Sequence, residues 1–258
     1  MTRRRFYASP ADFAADGKSV LLSADETRHA RDVLRLQGGD EVFVFDGFGR
    51  EFQCSVGIIA RNAAKLSVIA EVEPARPESP LNLTLAIALL KGEKFDLVIQ
   101  KTTELGVKRI VPLETERGDV RLRDGDSAQK RLTRWRRIAL EAAKQTGRAY
   151  VPEIESPLAF NLMLRPSGDN KRISTNATCL MFSERGGKSL SEAANTFGHK
   201  LPAIIALVGP EGGWTNDEVE SAREAVWEIV TLGGRILRAE TAGITVVALL
   251  QHRFGDLI

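Results

Sequence analysis

The sequence predicts an α/β protein, with a parallel sheet in its C-terminal part and a small β-rich module in front of it. The first observation is a series of short apolar runs without alternation, such as Ile204–Val208, which are typical of strands buried on both faces of a parallel sheet. The second is that helical segments separate these runs, as they do in βαβ units. The third is that residues 1–72 contain short strand-like runs with turn residues between them. A chain of 258 residues has room for two such domains.

The N-terminal domain is predicted over residues 1–73. Asp46 and Gly47 supply the turn chemistry between two of its strands. Alternating or apolar runs of strand length mark the strands themselves. The predicted strands are Ser19–Leu22, Val42–Phe45, Phe52–Ile59 and Leu66–Glu71.

One helix is predicted in this domain, from Glu26 to Leu36, with Asp25 as its N-cap and two glycines as its stop signal. Its arginines recur at three- and four-residue spacing, which would place them on one face of the helix. These arginines are Arg28, Arg31 and Arg35. A basic helical face on a small β-barrel indicates an RNA-docking module, and an ordinary solvated surface helix is the alternative.

Prolines at three positions predict a stiff linker over residues 74–80, and the second domain is predicted over residues 81–258. That domain begins with a buried strand in LNLTLAIALL, followed by a helix that ends at Leu105. Its further predicted elements are strand Arg109–Leu113, helix Ala128–Thr146, a polar loop at 166–178, strand Cys179–Phe182, strand Ile204–Val208, strand Glu228–Leu232 and helix Ile244–Phe254.

Glycine-bearing loops follow the last two predicted strands. Gly209–Gly213 follows the first of them, and Gly233 and Gly234 follow the second. Thr215 and Glu218 form a capping box, which predicts that a helix begins directly after the first loop. In open α/β sheets ligands bind beyond the carboxyl ends of the strands, and glycines let the backbone approach a ligand closely. The pattern favours a ligand site, and plain strand-to-helix turns are the alternative.

The ligand predicted at these loops is not a nucleotide phosphate. The first loop lacks the G-x-G-x-x-G spacing, and no Gly-Lys-Ser/Thr follows it. The carboxylate of Glu211 would also repel a phosphate. A neutral or cationic ligand is therefore favoured, and a classical nucleotide-binding α/β enzyme is disfavoured.

The composition argues against several classes of protein. No apolar run approaches the length of a membrane span, and the charged N-terminus lacks the apolar run of a signal peptide. Two cysteines and three histidines without ligand spacing argue against a metal site. Cys54 and Cys179 resemble small core residues of a reducing compartment, which predicts a cytoplasmic location. Residues 117–148 carry ten Lys/Arg against four Asp/Glu, a pattern typical of nucleic-acid binding or of a solvated helical face.

Two C-terminal stretches, VGPEGGWTNDEVE and LGGRILRAETAGITVVALLQ, resemble the signature of the SPOUT class of RNA methyltransferases. Together with KGEKFDLVIQKTTELGV and RWRRIALEAAKQTGR, they resemble the family that methylates N3 of one uridine in bacterial 16S ribosomal RNA. The segment HARDVLRLQGGDEV is similar to the PUA-like domain of that family. The resemblance implies a PUA-like β-barrel followed by a parallel sheet with a deep trefoil knot. It also implies S-adenosyl-L-methionine as cofactor and a homodimer that binds the small ribosomal subunit.

The resemblance further implies which residues hold the cofactor. Loops after three strands would enclose the adenosine, and Leu207 and Ile236 would line its apolar floor. The free amides at Thr241 and Ala242, at a helix start, suit the methionine carboxylate. The predicted cofactor-binding residues are Phe182, Glu184, Leu207, Gly209, Pro210, Glu211, Gly212, Gly213, Leu232, Gly233, Ile236, Leu237, Thr241 and Ala242.

For catalysis, Glu240 is the candidate base that takes the N3 proton, and Arg238 is the candidate that stabilises the developing negative charge. The alternative is that both residues only cap and pair within the fold. The predicted RNA-binding residues are Arg4, Arg28, Arg31, Arg35, Lys91, Lys94, Arg117 and Arg148. Two alternative functions stay open: a SPOUT methyltransferase acting on a ribose 2′-hydroxyl or another base, and a non-catalytic RNA-binding assembly factor.

Overall fold

The computed structural model describes residues 3–121, 125–164, 177–197 and 203–258. The chain forms two compact units. The first unit contains Met1–Glu78 and Leu140–Val151, and the second contains Ser79–Ala139 and Pro152–Ile258. A segment that is distant in sequence therefore completes the first unit, which no local pattern predicts. Most of the polar loop predicted at 166–178 lies outside the described residues.

The first unit is built on a five-stranded sheet. Its strands are β1 Arg5–Tyr7, β2 Ser19–Leu22, β3 Glu41–Phe45, β4 Glu51–Ile59 and β5 Ala64–Val72. Their order is β1-β3-β4-β5-β2, with β1 parallel to β3 and the other neighbours antiparallel. Alternate residues such as Phe6, Val42, Val44 and Leu66 point inward and form the core of this unit. The four predicted strands are confirmed, and the short β1 is an addition to them.

The helix of the first unit is shorter than the predicted Glu26–Leu36. Helix α1 spans Ala24–Arg28 and continues as a π-helical turn over His29–Val33. Arg35 then adopts a left-handed backbone, with a φ of 52°. The predicted single helical face of arginines was wrong, because the wider turn and the left-handed residue break the α-helical spacing before Arg35.

The start of α1 also differs from the prediction. Ser23 is the N-cap, and its hydroxyl accepts a hydrogen bond from the amide of Glu26 at 3.3 Å. Asp25, the predicted cap, lies in the first turn, where a negative charge still favours a helix N-terminus. Both residue types cap helices well, but β2 ends at Leu22 and leaves Ser23 in the extended conformation that a cap requires.

The second unit contains the parallel sheet. Its strands are β6 Asn82–Ala88, β7 Arg109–Glu114, β8 Glu153–Ile154, β9 Leu158–Ala159, β10 Ala177–Phe182, β11 Lys188–Ser189, β12 Ala203–Val208 and β13 Glu228–Thr231. Their order is β11-β13-β10-β12-β6-β7-β8, and β9 also pairs with β7. All of these pairings are parallel, which confirms the predicted sheet. The connection from β12 to β13 crosses β10, while the deep trefoil knot stays a prediction.

Helices connect most of these strands. They are α2 Lys94–Glu104, α3 Gly125–Thr146, α4 Phe160–Leu164, α5 Leu190–Phe197, α6 Asn216–Glu224 and α7 Ala239–Phe254. Helix α2 buries Phe95, Val98 and Ile99, as its apolar stripe predicts. The capping box of α6 is confirmed: the Glu218 amide donates to the Thr215 hydroxyl at 3.1 Å, and the Thr215 amide donates to the Glu218 carboxylate at 2.9 Å.

Helix α7 begins at Ala239, before the predicted apolar segment Ile244–Phe254 and two residues before the helix start predicted at Thr241. Arg238 has the extended backbone of an N-cap, and its carbonyl accepts a hydrogen bond from the Ala242 amide at 2.8 Å. The apolar run begins only at Ile244, so hydrophobic periodicity alone does not show the polar first turn. Because α7 begins at Ala239, Glu240 lies in its first turn. Among the described residues, no helix is long and apolar enough to cross a membrane.

Candidate active site

The carboxyl ends of β10, β12 and β13 lie side by side at one edge of the parallel sheet. Phe182, the last residue of β10, pairs with Val208 on one side and with Val230 on the other. The loops that follow these strands enclose an open cleft with an empty volume of about 530 Å³. A cleft at the carboxyl ends of parallel strands is typical of a small-molecule site.

Most of the residues predicted to bind a cofactor line this cleft. They are Phe182, Glu184, Gly209, Pro210, Leu232, Gly233, Leu237 and Ala242. Sequence reasoning missed other residues of the lining, most of which flank the predicted ones in the same three loops. These missed residues are Val208, Trp214, Thr231 and Ala239, whereas Ser183 and Arg235 belong to the loops that were predicted to enclose the adenosine.

Trp214 is the most informative of the missed residues. Its indole Nε1–H donates a hydrogen bond to the carbonyl of Phe182 at 2.8 Å, which joins the loop after β12 to the end of β10. The ring lies so close to Gly209 that a Cβ there would approach it to 2.9 Å. In the sequence, the signal that could have identified Trp214 was an aromatic residue directly after a glycine loop. The indole packs against residue 209, which explains why that residue is a glycine.

Two residues predicted to form an apolar floor lie elsewhere. Leu207 is completely buried in the core of the sheet, and Ile236 is 87% exposed. Neither side chain belongs to the cleft lining, because successive residues of a strand face opposite sides and the loop carries Ile236 outward. The apolar part of the lining consists mainly of Phe182, Val208 and Leu237.

The other predicted residues outside the lining shape the loops around it. Gly213 has a φ of 67° and donates its amide to the carbonyl of Pro210 at 3.0 Å, and a side chain there would collide with the Glu184 carboxylate. Gly212 lies against Arg117, and a Cβ there would approach the Cβ of Arg117 to 3.2 Å, which is a tight contact. The remaining two residues are Glu211 and Thr241, both of them exposed.

The predicted catalytic pair lies at the start of α7. Arg238 is the exposed N-cap residue. Glu240 is only 9% exposed, and its Oε2 has no hydrogen-bond partner among the described residues. Its Oε1 lies 3.9 Å from Nζ of Lys94, and Lys94 also forms an ion pair with Glu211. Lys94 therefore links the glycine loop after β12 to the first turn of α7.

Four of the predicted RNA-binding arginines lie in the N-terminal segment of the first unit, Met1–Glu78: Arg4, Arg28, Arg31 and Arg35. Arg28 lies 3.4 Å from Asp25, and the Nε of Arg31 lies 2.7 Å from Asp32. The hydrogen bond from Arg31 holds the pKa of the Asp32 carboxyl below its usual value. These ion pairs are exposed and screened by salt, so phosphates can compete for the arginines.

The basic residues predicted in the second unit have different surroundings. Lys91 pairs with Asp119 at 2.8 Å on the surface, and its hydrogen bond holds the pKa of that carboxyl below the usual value. Arg117 donates from Nη1 to the carbonyls of Gly212 and Trp214 at 3.3 and 3.1 Å. Arg117 therefore holds the glycine loop in place from outside, while Lys91 stays accessible.

Arg148 is not placed for the predicted contact with RNA. It is 5% exposed and pairs with Glu78 at 2.8 Å within the first unit. Its carbonyl also accepts a hydrogen bond from Arg5 at 3.0 Å. Exposing this guanidinium would break a largely buried ion pair, which is costly, so the position indicates a structural role.

Cys54 is a buried core residue of the first unit, as predicted, and Cys179 is partly buried against the core of the second unit. Burial raises the pKa of Cys54 to about 12 and that of Cys179 to about 11. Both groups therefore stay protonated thiols at neutral pH and are poor nucleophiles. Within the described part of the chain, no group of three or more His, Cys, Asp and Glu side chains could hold a metal ion.

Comparison with known protein families identifies the class of protein to which the chain belongs. Residues 77–251 match the RNA methyltransferase domain family, and residues 22–69 match the PUA domain of RNA methyltransferases. The first match alone covers more than half of the chain. The protein is therefore an RNA methyltransferase with an N-terminal PUA domain, as the sequence motifs predicted.

Individual relatives show to which family of RNA methyltransferases the chain belongs. Ribosomal RNA small subunit methyltransferase E of Synechocystis sp. is 36% identical over 231 residues, which cover 89% of this chain and 72% of that protein. The protein of the same name from Bacillus subtilis is 30% identical, with 92% of this chain and 91% of that protein covered. The chain belongs to the ribosomal RNA small subunit methyltransferase E family, which confirms the resemblance seen in its motifs.

One solved relative aligns with the whole chain. The crystal structure of ribosomal RNA small subunit methyltransferase E from Neisseria gonorrhoeae, bound to S-adenosyl methionine, has a TM-score of 0.84 and 33% identity. The alignment covers 100% of both chains. The two-unit architecture is therefore shared over the full length.

Proposed function

We propose that this protein transfers the methyl group of S-adenosylmethionine to N3 of a uridine in 16S ribosomal RNA and so forms 3-methyluridine. The observation that carries the proposal is the cleft at the ends of β10, β12 and β13, in a chain that aligns fully with a relative solved with S-adenosyl methionine. The motifs that resemble the uridine-N3 family supply the target atom.

The residues of the cleft fit this cofactor. Adenosine presents a flat, largely apolar face and polar edges, and the cleft combines Phe182, Val208 and Leu237 with the backbone of glycine-bearing loops. Glu184 lines the cleft with a carboxylate, which suits a sulfonium cation and disfavours a phosphate. The first turn of α7 offers backbone amides without intrahelical partners, which suit the methionine carboxylate.

When bound, S-adenosylmethionine supplies a methyl group that its sulfonium has already activated. The protein then has two tasks, which are to align uracil N3 with that methyl group and to remove the N3 proton. Alignment is usually the larger effect, with effective molarities of about 10⁵ M and above in favourable systems. A positioned base contributes roughly 10²–10⁴-fold.

Glu240 is the proposed base. It lies in the first turn of α7, between the cleft-lining residues Ala239 and Ala242, and its Oε2 has no hydrogen-bond partner among the described residues. Lys94 provides the nearest positive charge to the carboxylate, at 3.9 Å. Arg238, exposed at the N-cap of α7, is proposed to stabilise the negative charge that develops on the uracil ring.

The two parts of the chain are proposed to have different roles, one in binding RNA and the other in catalysis. Residues 1–73 are proposed to grip ribosomal RNA through the exposed arginines of the first unit, residues 74–80 to act as the linker, and residues 81–258 to carry the reaction. Lys91 and Lys94 are proposed to contact RNA near the active site. Because the substrate is part of the ribosome, the proposed location is the cytoplasm.

The proposed working form is a homodimer, with RNA lying across both chains. The C-terminal part of the second unit exposes several apolar side chains: Ile236, Leu249 and Leu257. A second subunit would remove this surface from water, which favours association. Light scattering coupled to size exclusion should give twice the mass of the 28.3 kDa chain, and a monomer at micromolar concentration would contradict the dimer.

The test of the reaction is methyl transfer from labelled S-adenosylmethionine to small ribosomal subunits from a strain that lacks this gene. Nucleosides from the digested RNA are then identified by mass spectrometry. We expect one 3-methyluridine per subunit. A 2′-O-methylated nucleoside would keep the cofactor but overturn the target atom, and cofactor binding without any methylated product would favour an assembly factor.

A further inference from the structure

One aromatic side chain of the first unit is exposed in a way that the core does not explain. Every Phe, Tyr and Trp of the chain lies within the described residues, and Phe48 is the one classed as exposed, at 69%. It lies in the turn between β3 and β4, within the part of the chain that matches the PUA domain. The exposed ring contributes little to the core, which leaves both of its faces open to a ligand.

Hydrogen bonds within the turn fix the backbone around Phe48. The buried carboxylate of Asp46 accepts hydrogen bonds from the amides of Phe48 and Arg50 through Oδ1, at 2.7 and 3.2 Å. The Asp46 amide donates to the Arg50 carbonyl at 3.1 Å. Gly47 and Gly49 have φ values of 82° and 102°, which other residues adopt only with strain.

Hydrogen bonds to the segment that completes the first unit also fix the backbone of this turn. The Gly49 amide donates to the carbonyl of Ala149 at 3.1 Å, and the Val151 amide donates to the carbonyl of Gly47 at 2.9 Å. Gly47 is buried, and a Cβ there would lie 3.0 Å from the ring of Tyr7. The backbone on both sides of Phe48 is therefore fixed, while its ring points into solvent.

We propose that Phe48 is a stacking site for an unpaired base of the RNA substrate. The inference rests on the proposed function, because it takes the ligand to be single-stranded ribosomal RNA. Unpaired bases in RNA are commonly held by stacking on an aromatic side chain, whereas the faces of paired bases are covered by their neighbours. A ring with two side-chain torsions on a fixed turn loses little freedom when a base stacks on it.

The charge next to the ring agrees with this ligand. Arg50 lies two residues beyond Phe48 and is paired with Glu71 at the surface, through an ion pair at 2.6 Å. Such an exposed pair is weak and can yield to a phosphate of the same strand. The turn therefore carries an exposed ring, and an exposed cation follows it two residues along the chain.

A tryptophan at residue 48 provides a direct probe of stacking. The native tryptophans, Trp135, Trp214 and Trp227, are all buried, so Phe48→Trp adds an exposed indole to the full-length protein. We expect single-stranded oligouridylate to quench the added fluorescence, and a duplex RNA of equal length to leave it unchanged. Ile58→Trp, at another exposed position of the same unit, is the control and should not respond.

Kinetics on small ribosomal subunits test the role of the ring. Phe48→Ala should raise KM for subunits about tenfold, in line with the loss of one stacked base, and leave the affinity for S-adenosylmethionine unchanged. Phe48→Tyr, which keeps the ring, should behave like the wild type, and so should Ile58→Ala.

Two results would overturn the stacking site. One is an unchanged KM for Phe48→Ala while the wild type forms 3-methyluridine, which removes the site and leaves the proposed function intact. The other is a blue-shifted emission of Phe48→Trp that depends on protein concentration without RNA, which would assign the ring to a contact between copies of this chain. Loss of the proposed function would appear separately, as an inactive wild type.

Discussion

At the scale of single residues, the most consequential contact is the bridge that Lys94 forms to Glu211 and Glu240. Glu211 belongs to the glycine loop after β12, and Glu240 to the first turn of α7. Two carboxylates that share one ammonium group repel each other if that group is removed. The position of Glu240 therefore depends on Lys94.

Replacement of Lys94 by methionine keeps an unbranched side chain and removes the charge. We expect Lys94→Met to lower kcat about five- to tenfold, because the partly exposed bridge holds the proposed base in place, with little change in cofactor affinity. Lys94→Arg should recover most of the loss. Lys91→Met is the matched control, since Lys91 pairs with Asp119 on the surface. Equal effects of both methionine variants on kcat would leave Lys94 only the RNA contact that is proposed for both lysines, and would remove its role in positioning Glu240.

The roles of Glu240 and Arg238 are tested by measuring cofactor binding and methyl transfer separately in variants of each residue. Glu240→Gln should reduce methyl transfer by about 10²-fold or more, because the amide cannot accept the N3 proton. Arg238→Ala should reduce it through loss of charge stabilisation. Titration calorimetry should show near-normal binding of S-adenosylmethionine to both variants. Near-normal turnover, or lost cofactor binding, would remove the proposed catalytic roles.

At the scale of elements, the cleft depends on how the loop after β12 packs against the end of β10. The Trp214 ring lies against Gly209 and donates a hydrogen bond to the Phe182 carbonyl. The adjoining Gly212 is backed by Arg117. The loop is thus held by long-range contacts on both of its sides.

A methyl group at residue 209 tests this packing. Gly209→Ala would place its Cβ 2.9 Å from the Trp214 ring, so the ring has to move and its hydrogen bond to Phe182 is strained. We expect a loss of about 1–3 kcal/mol in stability and a cofactor affinity at least tenfold weaker. Gly234→Ala, where an added Cβ meets nothing within 4 Å, should bind cofactor normally. Equal binding by both variants would contradict the role given to Trp214.

The elements themselves were largely predictable. The apolar runs, the alternating strands and the capping box of α6 are local patterns, and each gives its element within a few residues. The errors arose where a local pattern was interrupted. The π-helical turn after α1 cannot be distinguished from an α-helix by spacing, and α7 begins two residues before the start predicted at Thr241.

At the scale of the whole molecule, the second unit is closed by a buried contact between its first residue and its last helix. The Ser79 hydroxyl donates to Oε1 of Gln251 at 2.6 Å, and Gln251 is fully buried. A Cβ on Gly106 would lie 2.7 Å from Nε2 of the same side chain, so the amide is packed on more than one side.

Removal of the Ser79 hydroxyl should therefore destabilise the second unit. Ser79→Ala leaves Oε1 of Gln251 buried without its donor, which costs about 1–3 kcal/mol. Urea unfolding followed by tryptophan fluorescence reports on this unit, because all three tryptophans belong to it. Ser221→Ala, on the exposed surface of α6, should leave the midpoint within about 0.5 kcal/mol of the wild type. An unchanged midpoint for Ser79→Ala would show that the contact contributes no net stability.

The candidate site was predictable only in part. The glycine loops and the first turn of α7 could be located because they follow strands whose carboxyl ends meet at one edge of a parallel sheet. The floor of the cleft could not, because the direction of the Leu207 and Ile236 side chains depends on packing against distant segments. Arg148 illustrates the same limit, since its burial beside Glu78 requires the first unit to be assembled.

The amino-acid sequence by itself determined the class of fold, the order of its elements, the family and the loops that bound the cleft. These properties follow from periodicity, turn chemistry and motifs, all of which are local. Only the tertiary structure decided that Lys94 meets Glu211 across 117 positions and that Ser79 meets Gln251 across 172. It also decided that Leu140–Val151 completes the first unit and fixes the turn that exposes Phe48. Such contacts join segments far apart in sequence, and chain folding alone brings them together.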